Sequence, residues 1–128
     1  MTERPSPAHA WDLPPEPIEI VAGPVQLRPW EERLADELSA LYGRAEPGGV
    51  DRRLLEWREG TALSFAVQEI TTARLLGEVI LRPGPDGTAT LTARAFPDGT
   101  AAVEGAAAVV ERWARGALGA TRVDSVDQ

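Results

Sequence analysis

Between Thr88 and Phe96 the chain reads TATLTARAF, and its apolar positions alternate. Side chains in extended backbone repeat every two residues. Leu91, Ala93 and Ala95 therefore fall on one face of a strand, and Thr90, Thr92, Arg94 and Phe96 on the other. Two β-prone stretches precede it, Ala62 to Ile70 and Leu75 to Arg82, with a turn at Thr71 to Arg74 between them. Pro83-Gly84-Pro85-Asp86-Gly87 is a second, stronger turn sequence. Near the start, Ile18, Ile20, Val25 and Leu27 alternate around Gly23-Pro24 and predict a strand pair. Thr121 to Val126 predicts a last short strand.

Elsewhere the spacing changes to three and four. Leu34, Leu38 and Leu41 predict a helix over Glu31 to Tyr42, with acids crowding its first turn. After a loop from Gly43 to Gly49, Leu54 and Trp57 predict a second helix over Val50 to Glu59, stopped by Gly60. Val103, Ala106, Val110, Trp113 and Ala117 form an apolar stripe that predicts a long helix from about Ala101 to Leu118. Asp98 or Thr100 can cap its start, and Gly119 can end it. Gly105 is expected to let this helix approach the sheet closely. Antiparallel strands followed by a strand–helix–strand crossover imply an α/β (α+β) domain: a mixed, mostly antiparallel sheet with helices on both faces.

Composition narrows the chemistry. The chain has 128 residues, 43% of them apolar, which suits one domain with one core. Residues 1–17 hold five prolines and predict an extended, largely disordered tail in which Trp11 can dock locally, so the folded domain is expected over 18–128. No apolar run is long enough to span a membrane and no secretory pattern opens the chain, so a cytoplasmic location is expected. The net charge of −7 argues against general nucleic-acid binding. Cysteine is absent, which excludes disulfides and thiolate chemistry within the chain. All thirteen basic residues are arginines, which excludes a Schiff base. The single histidine, His9, lies in the Pro-rich tail, so a His-centred triad or metal site is not expected.

The stretch FPDGTAAVEGAAAVVERW, Phe96 to Trp113, runs from a strand end through a glycine turn into a helix. The first backbone N–H groups of a helix lack internal partners and carry the positive end of its dipole, so such a turn can hold an anion.

The order of elements resembles the GCN5-related N-acetyltransferase (GNAT) family, in the branch that acetylates ribosomal-protein N-termini and small amines. VAGPVQLRPW looks like that branch's opening strand. LLEWREGTALSFAVQEITTARLLGEVILRP looks like its second helix and central hairpin. FPDGTAAVEGAAAVVERWARGALGATRVDSV looks like its strand–loop–helix–strand cofactor unit. The resemblance implies a GNAT-like sheet ending after the family's fifth strand, and acetyl-CoA as acyl donor to an amine. Arg94, Ala95 and Phe96 would face the pantetheine arm. Asp98, Gly99, Thr100, Ala101 and Ala102 would cradle the pyrophosphate. Ala101 stands where the family's loop has its second glycine, and Asp98 where a basic residue is expected. The family continues with another helix and two strands, so residues 121–126 are expected to form an edge that pairs with a second copy or another chain. A non-catalytic GNAT-like binding or structural subunit is the alternative.

Acetyl transfer needs a base for the amine and donors for the developing oxyanion. Glu78, on a central strand between Leu76 and Ile80, is the best-placed carboxylate for a catalytic role; a solvated sheet-end acid is its plainer reading. Arg94 is open to a CoA phosphate or a surface acid. Tyr42, the only tyrosine, and Trp30, Trp57 and Trp113 read as packing residues.

Overall fold

A computed structural model describes residues 11–127, and His9 lies outside the described residues. The chain opens with a tight hairpin, β1 (Ile20–Ala22) and β2 (Val25–Arg28), turned by Gly23 at φ +61°. Two helices follow, α1 (Ala35–Tyr42) and α2 (Gly49–Glu59). Three strands come next: β3 (Leu63–Glu69), β4 (Leu75–Pro83) and β5 (Thr88–Ala95). Helix α3 (Thr100–Gly116) crosses over to β6 (Arg122–Asp127). The strands form one sheet in the order β1-β2-β3-β4-β5-β6. β1 to β5 are antiparallel neighbours, and β6 runs parallel to β5. The sheet has six strands because the opening hairpin contributes two.

Alternation along the strands divides the core between two faces. Leu27, Leu63, Phe65, Val79, Leu81 and Leu91 meet α3 through Val103, Ala106, Val110, Ala114 and Leu118. On the other face Trp30, Leu34, Leu38 and Val50 pack on Ala66 and Leu75. The helices therefore lie on both faces, as the periodicity predicts. Their details differ from it. Of the helix expected over Glu31 to Tyr42, the first part is a 3-10 turn, Glu32–Leu34. The α3 stripe passes through Ala114, not Ala117, which is exposed. Trp113 is half-buried, edge-on to Phe65 with ring centroids 5.7 Å apart. No side chain caps α3; the chain enters it through a 3-10 turn, Pro97–Gly99.

Gly105 does not bring α3 onto the sheet. It is exposed, and a Cβ there would meet nothing within 4 Å. The close approach falls at Gly77 of β4, where a Cβ would lie 2.2 Å from the Arg94 carbonyl oxygen and 2.7 Å from Val103 Cγ2. Residues 11–17, the described part of the expected tail, are docked rather than loose. Trp11 Nε1 donates to the Gly84 carbonyl at 3.2 Å, Asp12 N to Leu118 O at 3.3 Å, and Trp57 Nε1 to Pro14 O at 3.1 Å. Proline rigidity and the bodies of Trp11 and Leu13, packed on the core, make that order affordable.

Candidate functional site

On the α1–α2 face, β4 carries Glu78 into the centre of the sheet with no exposed surface. It is not the solvated sheet-end acid of its plainer reading. A buried carboxylate must be paired and hydrogen-bonded, and four donors converge on it. Arg53 of α2 grips both oxygens, through Nε to Oε2 and through Nη2 to Oε1 at 3.1 Å. Tyr42 Oη donates to Oε1, and Ser64 Oγ of β3 donates to Oε2. Ser64 in turn accepts from Trp30 Nε1 at 2.8 Å. Arg53 is anchored by donating to the Gly49 carbonyl at 3.1 Å, and its guanidinium lies 5.6 Å from the ring centroids of Trp30 and Tyr42. Burial is the largest influence on Arg53 and works against its charge; the hydrogen bond and charge of Glu78, with Tyr42, overcome it and hold its pKa above the ordinary guanidinium value.

Arg94 lies beside Glu78, directly across the β4–β5 ladder. Among the described residues it pairs with no surface acid. Its Nε donates to Leu41 O at 2.9 Å, the last turn of α1, and its guanidinium stacks 4.7 Å over the Tyr42 ring. A cation at a helix C-terminus complements the free carbonyls there. One side chain of β5 therefore fixes the end of α1 that carries Tyr42.

The second feature is the turn out of β5. Phe96 N donates back to Leu76 O at 3.0 Å, and Gly99 N to Phe96 O at 2.8 Å. Gly99 is buried, and a Cβ there would sit 2.8 Å from the Leu76 carbonyl oxygen, so the turn lies on β4 in a way only glycine permits. α3 then starts at Thr100 with Ala101 and Ala102 in its first turn. A groove of about 290 Å³ runs beside it, lined by Ala93, Ala95, Thr100, Val103 and Glu104. Asp98 is exposed and ion-paired with Arg74 at 2.7 Å, whose pKa it raises.

No family model and no curated protein matches the sequence. Solved structures do match. A protein assigned as a ribosomal-protein-serine acetyltransferase from Vibrio cholerae superposes with a TM-score of 0.67 at 19% identity, over 85% of this chain and 73% of that one. The ribosomal-protein-alanine N-acetyltransferase of Brucella melitensis gives 0.60 at 14% identity, over 81% of each chain. An acetyltransferase from Agrobacterium tumefaciens gives 0.54 at 19%, over 77% and 67%. The chain has the GNAT fold.

On the GNAT fold the expected residues divide into two groups. Ala95, Gly99, Thr100, Ala101 and Ala102 follow the turn on the α3 side, with Asp98 exposed at its outer edge. Phe96 turns the other way and packs with Trp30, Leu34 and Leu75 on the α1–α2 face, the face of Glu78 and Arg94. Asp98, at the place where the resemblance expects a basic residue, is paired with Arg74 of the β3–β4 turn. Arg53 carries a signal in the sequence, since it falls three residues after Val50 and four before Trp57, on the buried side of α2, yet no site role was expected of it. An arginine on an apolar stripe is the signal of a buried ion pair. Gly77 has no such signal, because a period-two pattern does not mark a close approach. The turn fits an acetyl-CoA pyrophosphate by its backbone: an uncapped helix start, a glycine-dependent approach and Arg74 balancing the nearby Asp98. Glu104 is the acid that lines the groove.

Proposed function

We propose that this chain is a cytoplasmic N-acetyltransferase that takes an acetyl group from acetyl-CoA and passes it to an amine. The observation that carries this reading is the Phe96–Ala102 turn on the GNAT fold: Gly99 seated on the Leu76 carbonyl, an uncapped α3 start, and a groove alongside. Backbone N–H groups of Thr100, Ala101 and Ala102 hold the pyrophosphate; Gly99, whose own N–H is taken by the Phe96 carbonyl, shapes the close turn, and Asp98 is neutralised by Arg74. Arg94, Ala95 and Phe96 carry the strand along which the pantetheine arm lies. When bound, acetyl-CoA supplies an activated thioester. On the other face Glu78 is the proton acceptor. Its oxygens are already engaged, so the amine's proton would pass to Tyr42 Oη while the phenol's own proton passes to Glu78 Oε1; as the C–N bond forms and the thioester C–S bond breaks, the relay would run back through Tyr42 and return a proton to the departing CoA thiolate. Tyr42, half-buried, is the outer end of that pair.

Calorimetric titration with acetyl-CoA tests the reading. Heat of binding and a rise in melting temperature are expected, because a ligand that binds the native state stabilises it. Ala101→Glu should abolish both: it puts a carboxylate at the cradle while leaving a helix first turn that tolerates acids. Absence of heat and of any thermal shift at millimolar ligand would sink the proposal. Tyr42→Phe should leave binding intact and lower kcat by roughly 100-fold or more.

One observation favours a second reading, a GNAT-like chain that binds without catalysing. The β5–β6 ladder is unbroken from Thr88–Arg122 to Ala93–Asp127, which keeps those strands together along the whole of β6. In that reading the outer edge of β6, which pairs only with β5 among the described residues, receives a second copy or another chain. Binding of acetyl-CoA without turnover on any amine, and a dimer in sedimentation, would select it.

A further inference from the structure

β1 is one edge of the sheet, and the direction of its main chain follows from its neighbours. Ile70 N donates to Pro24 O at 3.1 Å, so the backbone groups of Pro24 and Gln26 turn to β3. Those of Val25 and Leu27 then turn to β1, where they meet Ala22 and Ile20 across the two-residue turn. Val21 is left with its N–H and C=O pointing outward, and among the described residues nothing bonds to either. Beside this edge, between the hairpin and α3, lies a groove of about 650 Å³ with no acid in its lining. Ile20 and Ala22 pack on the α3 side of the core, so a strand added beside Val21 drops its alternate side chains into that groove. Gly105 lies on the groove, and its bare backbone leaves the floor open, since a Cβ there would meet nothing within 4 Å. Arg112 ends the lining on α3. It is exposed and takes no part in the hydrogen bonds or ion pairs of the described residues, whereas its neighbour Arg115 pairs with Glu111. Glu19, the acid nearest the edge in sequence, is held by Arg28 at 3.3 Å.

We propose that this groove receives the C-terminal segment of another protein, as an extended strand added to β1. Main-chain bonds to Val21 hold it, alternate apolar side chains fill the floor between Gly105 and Val109, and its terminal carboxylate meets Arg112. An unpaired strand edge is a template for such addition, with specificity set by pockets for every second side chain. The lengths agree. Residues 101 to 112 span about 16 Å of helix axis, which matches about five residues of extended chain. A carboxylate is the complement because, among the described residues, Arg112 is the only charged group in the lining. It is a terminal carboxylate because Arg112 stands at the end of the run. The groove lies on the face of the sheet opposite Glu78 and Tyr42, so its occupant is not the acetyl acceptor and binds whether or not acetyl-CoA does.

The test is fluorescence anisotropy of the full chain with an array of labelled pentapeptides. Each carries valine, leucine, isoleucine or phenylalanine at the odd or the even positions and threonine elsewhere, and is made both as free acid and as C-terminal amide. The best free acids should bind roughly tenfold more tightly than their amides, as a charge-assisted contact to a carboxylate implies. Arg112→Gln should erase that difference. N-methylating the peptide amides one at a time should weaken binding by roughly fivefold or more at alternate positions only, because an added strand bonds through every second residue. Gly105→Leu, which fills the floor, should weaken every peptide by roughly fivefold or more, with a melting temperature no lower than wild type because leucine favours the helix. No binding by any peptide at millimolar concentration, equal binding of acid and amide, methylation effects that do not alternate, or full affinity in Gly105→Leu would overturn the inference. So would a dimer in sedimentation that Gly105→Leu dissolves, which would give the groove to a second copy of this chain.

Discussion

Glu78 has four donors and no contact with water, and that decides how its neighbours respond to change. Arg53→Met strands a buried carboxylate and should cost about 3–5 kcal/mol in urea unfolding. Adding Glu78→Leu should recover most of that loss, since the cost lies in the unpaired charge rather than in the missing pair. The sign of the pH dependence follows from Arg53. Its folded pKa is raised, so its contribution is complete below the ordinary guanidinium range and lost only as pH rises beyond the raised value. The stability gap between wild type and the double variant should therefore stay flat from about pH 7 to about pH 10. A gap that narrows across that window would mean another group holds the network. Arg94 acts differently: it spends its charge on a helix end and an aromatic face, contacts that a one-dimensional pattern does not record.

Two glycines separate what elements reveal in sequence from what they hide. Gly105 stands out because glycine is costly in a helix, yet the space around it is open; Gly105→Ala should stabilise by roughly 0.5–1 kcal/mol. Gly77 draws no notice inside a strand, yet β5 and α3 close directly over it. Gly77→Ala should destabilise by about 1–3 kcal/mol in thermal unfolding, by forcing Arg94 O and Val103 aside. The six strands, three helices and their order were legible because each apolar face is written at a period of two or near 3.6. The α1–α2 face hid its content because Arg53, Ser64 and Glu78 are far apart in the chain and acquire meaning only when β3, β4 and α2 meet. The Arg74–Asp98 pair is hidden in the same way, because the two residues lie in different turns and meet only when β4 and β5 pair. Helix ends were the least legible, as the 3-10 turns before α1 and α3 are local choices that periodicity does not encode.

At the scale of the whole molecule, the chain closes on itself through residues 11–17. Their indole, carbonyl and amide contacts tie the β4 end, the residues after α3 and the end of α2 together. Trp11→Ala should therefore lower stability by about 1–3 kcal/mol, although position 11 reads in sequence as part of a Pro-rich tail. Among the described residues, no helix is long and apolar enough to cross a membrane. The net charge of −7 is spread over a surface where most exposed arginines pair locally, so added salt should change melting temperature little unless an anion seats on α3. The clasp between Trp57 and Pro14 has an optical consequence. Trp57 reports on that strap, and Trp30, beside Arg53, reports on the charged interior. In chains keeping one or the other indole, fluorescence distinguishes a strap that peels away first from one that leaves with the domain: two emission midpoints in the first case, one shared midpoint in the second.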